Sequence, residues 1–265
     1  MTLAYGLDLA GYSTGKTGAA FARRIHNDLV EVTIIKDHVF GQKLRTDAPL
    51  AEITQQQRSV LTAWADGGVI LVDIPVELGG LPFPRNPQYI WELTLRPVDF
   101  AFNAMPSFAD RIGAPVARFQ HLLAGLPREW IGSTLFETYP AASLRLLGLH
   151  DVPYKGQSAE FFDGAWGGVS LAEILNRMGV TAEEGTKVND DEFDAMICAL
   201  AGVASDEERL AGDDMNYAVD MRVRQRVSDA PETPYTAPSS YVLLRTLPKA
   251  RITLSAQASD SGMLF

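Results

Sequence analysis

A chain of 265 residues with 46% hydrophobic side chains can bury a full core, which excludes a disordered protein. A single cysteine excludes a disulfide scaffold, and no run reaches the ~18 uninterrupted apolar residues of a membrane span. A formal charge of −10 argues against a long basic track for nucleic acid, unless bound cations reverse the sign locally.

The opening MTLAYGLDLAG has no basic region followed by an apolar run, so no signal peptide is expected and the reducing cytoplasm is the expected compartment. Leu3 to Ala10 is short and apolar and ends at Gly11, which predicts a buried strand. Gly18 to Arg24 and Leu29 to Lys36 follow it closely, and the three together predict an antiparallel meander. From Ala48 to Ala65 the apolar residues Leu50, Ile53, Val60, Leu61 and Trp64 recur at helical spacing, with Pro49 in the first turn and Gly67-Gly68 as the stop.

Val69 to Asp73 (VILVD) is a continuous apolar run ending in an acid, the pattern of a central parallel strand buried on both faces. Residues 76–130 are rich in Pro and aromatics, with helical patches at Tyr89 to Leu95 and Val116 to Leu123, and read as an insertion able to cover a site. Thr134 to Glu137 repeats the apolar-then-acidic pattern, and helices are predicted over Ala141 to Leu147 and Leu171 to Met178. Asp190 to Ala204 has an acidic start and an alanine-rich body, which suits a helix packed closely on a sheet. Strands are expected at Tyr241 to Leu247 and Ile252 to Leu254, and another would carry Arg222, Arg224 and Arg226 along one face as a backbone-contact stripe. The expected organisation is a catalytic domain over residues 1–204 and a C-terminal extension, residues 205–265, packed on it.

Three short strands thus deliver an acid near their carboxyl ends, Asp8, Asp73 and Glu137, where ligands of open α/β sheets bind. The helix after Asn189 adds Asp191 and Asp194, three apart and therefore on one face. Capping explains Asp190 or Asp191 equally well. Asp194 lies beyond the cap, directly before the packing residues Ala195, Ile197, Cys198 and Leu200. Clustered carboxylates favour hard divalent cations, here Mg²⁺ or Mn²⁺, and a pair of such ions ~4 Å apart serves phosphodiester hydrolysis. His26, His38, His121 and His150 show no metal-ligand spacing. Lys16, Arg85, Arg96 and Lys155 are the basic residues placed to meet phosphate.

The segments GLDLAG, VDIP, FETYPAASLRLLG with Tyr154-Lys155 downstream, and DEFDAMICALAG together resemble an uncharacterised family of predicted RNase H-like nucleases, over roughly residues 3–203. The last helix is also similar to that of RuvC-type resolvases, in which two aspartates three apart help hold metal. The resemblance implies an α/β RNase H-like fold: an antiparallel three-strand meander followed by parallel strands, with helices on both faces. It implies Asp8 as the shared metal ligand, Asp73 or Glu137 as a second, and Asp191 with Asp194 from the helix. The substrate would be a nucleic acid or a nucleotide, and the tail beyond Ser205 departs from the family pattern.

Two rival readings differ in kind. Ala10 to Thr17 (AGYSTGKT) satisfies a relaxed phosphate-loop pattern, which would make the chain a P-loop ATPase or phosphotransferase if a helix followed Thr17. Actin-like ATPases also begin with a strand, an acid and a Gly/Thr-rich turn, but ordinarily need two such domains.

Overall fold

The computed structural model describes residues 2–26, 29–45, 47–78, 92, 94–106, 113–227 and 230–258. Strand β1 (Thr2–Asp8) pairs antiparallel with β2 (Gly18–His26), in a register that sets Asp8 opposite Gly18. Strand β3 (Leu29–Lys36) returns antiparallel to β2 and completes the meander. On the other side of β1, β4 (Val69–Val72) runs parallel with Leu7 beside Val72, and β5 (Leu135–Glu137) runs parallel to β4 with Val72 beside Glu137. Three parallel neighbours therefore end along one edge, at Asp8, Asp73 and Glu137.

The sheet has seven strands among the described residues, because β12 (Arg251–Ala258) lies parallel to β3 and β8 (Val180–Ala182) lies parallel on its outer side. The C-terminal extension thus supplies a strand of the main sheet.

Both faces are covered, as the uninterrupted apolar character of β1 and β4 requires. On one face lie helix α1 (Leu50–Gly67) and helix α3 (Gly113–Leu123), with Trp64 stacked on Tyr5 at 4.9 Å and Val116, Phe119 and Leu122 buried with Leu7 and Val72. Helical spacing is right for α1 but its buried face differs from the expected one. Leu50 is exposed, while Gln57 is buried and donates its amide to the Val39 carbonyl at 3.1 Å. Pro49 stands at the N-cap rather than inside the helix.

The other face carries α6 (Asp190–Val203), whose residues Phe193 to Ala201 are all buried. Its start is fixed by a capping box, in which Asn189 accepts from the Glu192 amide at 2.9 Å and Glu192 accepts from the Asn189 amide at 3.0 Å. Contact with β1 is backbone to backbone. A Cβ on Gly6 would stand 2.0 Å from the Ala195 carbonyl oxygen and 2.5 Å from the Ala199 nitrogen, so only glycine admits this approach.

A small three-stranded sheet, β7 (Ala165–Gly167), β6 (Ser158–Phe162) and β9 (Lys187–Asn189), feeds α6 and is braced by α5 (Ser170–Arg177). Helix α4 (Pro140–Leu146) follows β5, and α2 (Pro97–Phe102) packs on α7 (Gly212–Arg226) with Val98, Phe102, Met215, Val219 and Val223 buried together. Strands β10 (Arg209–Leu210) and β11 (Leu243–Leu244) form a separate pair.

Two expectations need correction, and a third falls mostly outside the described residues. The Arg222, Arg224 and Arg226 stripe is helical, because Met215, Val219 and Val223 at four-residue spacing bury one face of α7 and outweigh the alternation. Its arginines are engaged inside the protein: Arg222 over the Phe102 ring, Arg224 on Asp220 at 2.8 Å, Arg226 over the Phe100 ring. The strand expected from Tyr241 to Leu247 contracts to β11, with Tyr241 in an isolated bridge to Glu137. Of the helix expected from Tyr89 to Leu95, residues 89–91 and 93 lie outside the described residues, as does Arg85.

Candidate metal centre

Asp8 is the last residue of β1, and Asp73 follows β4 with its amide donating to the Leu7 carbonyl at 2.9 Å. The same parallel register therefore sets the two side by side at the sheet edge. Asp194, in the second turn of α6, arrives from the covering helix, whose backbone is clamped against β1 at Gly6 and against β2 at Gly18. A Cβ on Gly18 would stand 2.0 Å from the Asp191 carbonyl oxygen. As a result Asp8, Asp73 and Asp194 offer carboxylate oxygens that all lie within 4.8 Å of one another.

Burial and mutual repulsion disfavour three negative charges here. Asp8 is raised well above the usual carboxylate range by burial, then by Asp73 and Asp194. Asp73 is pushed up to about 8 by burial and then by Asp194. Asp194 is raised by burial, against the opposing pull of Lys155 and Tyr154. The Tyr154 hydroxyl donates to Asp194 Oδ1 at 2.6 Å and the Lys155 ammonium donates to Oδ2. For Lys155, burial works downward and is overcome by Asp194 and Asp8, which hold the ammonium charged. Asp191 lies at the cleft margin, raised to about 6 by burial and then by Asp190.

Glu137 does not join these oxygens. Its Oε1 accepts from Arg96 Nη2 at 2.5 Å, and its Oε2 accepts from Arg96 Nη1 at 2.8 Å and from the Val76 amide at 3.0 Å. Arg96 also donates to Asp99 through Nε at 2.8 Å and Nη2 at 2.7 Å, and to the Glu77 carbonyl at 2.7 Å. Burial acts to lower Arg96, but Glu137 and Asp99 outweigh it and keep the guanidinium charged. The strand-end acid and the basic residue read separately as metal ligand and phosphate binder are thus each other's partners, and their triad stiffens the wall beside Asp73.

A cleft of about 590 Å³ opens over the carboxylates. Lys16, Lys155 and Asp191 line it together with Arg96, Glu137, Thr138 and Tyr241, and Pro75, Met105, Pro115 and Tyr139 add apolar surface. Lys16 also borders a neighbouring groove of about 770 Å³ that runs past the start of α6. The segment Ala10 to Thr17 does not open a helix: Thr17 Oγ1 accepts from the Ala10 amide at 3.1 Å and the chain enters β2 at once. The phosphate-loop pattern therefore lacks the helix N-terminus that would hold phosphate.

Sequence reasoning did not single out Tyr154, Asp99, Thr138 or Tyr241. Only the adjacency of Tyr154 to Lys155 hinted at the first. Cys198 lies buried beneath the acids, and burial followed by Asp73 and Asp8 holds its thiol protonated.

The model of a family described as a protein of unknown function (DUF429) matches residues 6–215, a span that contains Asp8, Asp73 and Asp194. No curated protein and no solved structure matches the chain.

Proposed function

The chain belongs to the DUF429 family of proteins of unknown function, and from its site we propose that it is a divalent-metal-dependent phosphodiesterase of nuclease type on an RNase H-like fold. The observation that carries this reading is the convergence of Asp8, Asp73 and Asp194, with oxygens all within 4.8 Å. The run of strands β3, β2, β1, β4 and β5, an antiparallel meander continued by parallel strands, supports the fold assignment, as do the helices on both faces.

The donor set fits a hard divalent cation. Three carboxylates crowd together at the cleft floor, and one lysine cannot balance them, so a cation of higher charge would offset the burial, and the mutual repulsion added to it, that raise Asp8 and Asp73. Mg²⁺ or Mn²⁺ held by these residues, with Asp191 as a further oxygen donor, would supply Lewis acidity toward phosphate and acidify water. The chain's own groups set the frame for that chemistry. Tyr154 fixes Asp194 Oδ1 by donating a hydrogen bond to it, and Lys155, with 59% of its side chain exposed, can turn its ammonium toward a phosphate oxygen. Lys16 offers a second ammonium at the cleft mouth. Arg96, locked by Glu137 and Asp99, positions the wall and has no donor to spare for substrate.

Incubation with single-stranded, duplex and hybrid oligonucleotides plus Mn²⁺, repeated in EDTA, tests the reading. Cleavage is expected only with metal, and Asp8→Asn or Asp194→Asn should lower it by about a hundredfold or more. Activity that survives both EDTA and Asp8→Asn would overturn the mechanism.

A further inference from the structure

Resting on the phosphodiesterase reading, we propose that the substrate is a nucleotide-sized phosphodiester, such as a dinucleotide, rather than a long polynucleotide gripped along its backbone. The cleft volume of about 590 Å³ falls in the range of roughly 300–1,000 Å³ that encloses small molecules. The cleft is lined both by the acids and by the apolar Pro75, Pro115 and Tyr139, so a phosphoryl group and a flat base can be served at once.

Charge points the same way. Polynucleotide binding rests on many free guanidinium and ammonium groups, yet the chain carries −10 and its described arginines are largely spent internally. Arg24 pairs with Glu208, Arg96 with Glu137 and Asp99, Arg177 with Asp151, and Arg224 with Asp220. Beside Arg96, whose donors are all engaged, the cations that line the cleft are Lys16 and Lys155, enough for one or two phosphates.

A third, independent observation concerns the wall on the Glu137 side. Thr138 is 1% exposed and Tyr241 2% exposed, both residues border the cleft, and neither hydroxyl has a hydrogen-bond partner among the described residues. A buried hydroxyl without a partner is unfavourable, and a ligand with sugar or base heteroatoms can supply what is missing. In the reaction, water oxygen bonds to phosphorus, the bond from phosphorus to the leaving oxygen breaks, and that oxygen takes up a proton, with no change of oxidation state.

Binding decides the matter apart from turnover. Thymidylyl-thymidine and an oligothymidylate of about twenty residues are titrated into the full chain, with Ca²⁺ replacing Mg²⁺. The two dissociation constants are expected within about tenfold of each other, with little change between about 50 and 200 mM NaCl. Tyr241→Phe should weaken the dinucleotide about five- to tenfold without lowering the melting temperature, since it removes an unpaired hydroxyl. A merely structural tyrosine would move the melt and leave binding alone. Oligothymidylate binding more than about a hundredfold tighter with a steep salt dependence, a dinucleotide that does not bind, or unchanged binding by Tyr241→Phe would each overturn the proposal. Metal-dependent cleavage confined to long chains would sink this inference and spare the phosphodiesterase reading. Dinucleotide binding without any metal-dependent cleavage would do the reverse.

Discussion

Burial, and then Asp194, push Asp73 up to about 8 from the 3.8 of an ordinary aspartate. Between those values the folded state keeps a proton that the unfolded state has released, so the free energy of folding from this group is present at low pH and lost as pH rises toward 8. Metal-free wild type should therefore lose stability from pH 5.5 to pH 8.5, over the upper part of that interval. Asp73→Asn, which cannot ionise, should lose less. Thermal melts in EDTA at both pH values measure the difference, and an equal loss in the two proteins would show that Asp73 is not held neutral. Millimolar Mn²⁺ should then stabilise wild type more than the mutant, because a ligand that binds only the folded state stabilises it by RT ln(1 + [L]/Kd), more for the tighter binder. At this scale the sequence was partly legible. Asp8, Asp73 and Asp194 each sit where an apolar run stops or a packing face begins, and local pattern reports that. The bond between Arg96 and Glu137, 41 residues apart, leaves no local trace, so each looked available.

Among the elements, α6 matters most, since it brings Asp194 to two strand ends. Its distance from β1 is set by Gly6, whose missing side chain admits the Ala195 carbonyl. Gly6→Ala should force the helix outward and destabilise the protein by about 3 kcal/mol. It should also weaken Mn²⁺ binding about tenfold or more, although no ligand is touched. Denaturant titration and metal titration read the two effects, and a mutant that is less stable but binds Mn²⁺ normally would show that the helix position is not what assembles the acids. Strands β1 to β4 and helix α6 were readable because continuous apolar runs and an alanine-rich stretch have one good solution each. Helix α7 was misread because arginines alternate over its last turns while its buried residues recur every fourth position. The short strands β6, β7, β8 and β9 carry too few residues for a period to show, and only tertiary pairing defines them.

In the whole molecule, the sheet is closed by its C-terminal segment. Strand β12 pairs along its length with β3 and holds β8 on its other side. A chain ending at Leu247 should leave the eight-residue edge of β3 unpaired, and exposed edges recruit other chains. We expect that truncation to be largely insoluble or aggregated, as scored by size-exclusion chromatography. A monomeric product melting within about 2 °C of wild type would show that β12 is dispensable. The excess of acidic over basic residues has a molecular consequence too, since it sets a background repulsion to which the carboxylate cluster adds.

The position of β12 also orders events in time. During synthesis the residues of β1, β4 and α6 emerge well before residue 251, so the elements that carry Asp8, Asp73 and Asp194 are made while the outer edge of β3 still waits for its neighbour. The strand that protects the β3 edge is thus made after the three aspartates are in the chain. Until then the outer edge of β3 has no strand to pair with and stands open to whatever partner is nearest.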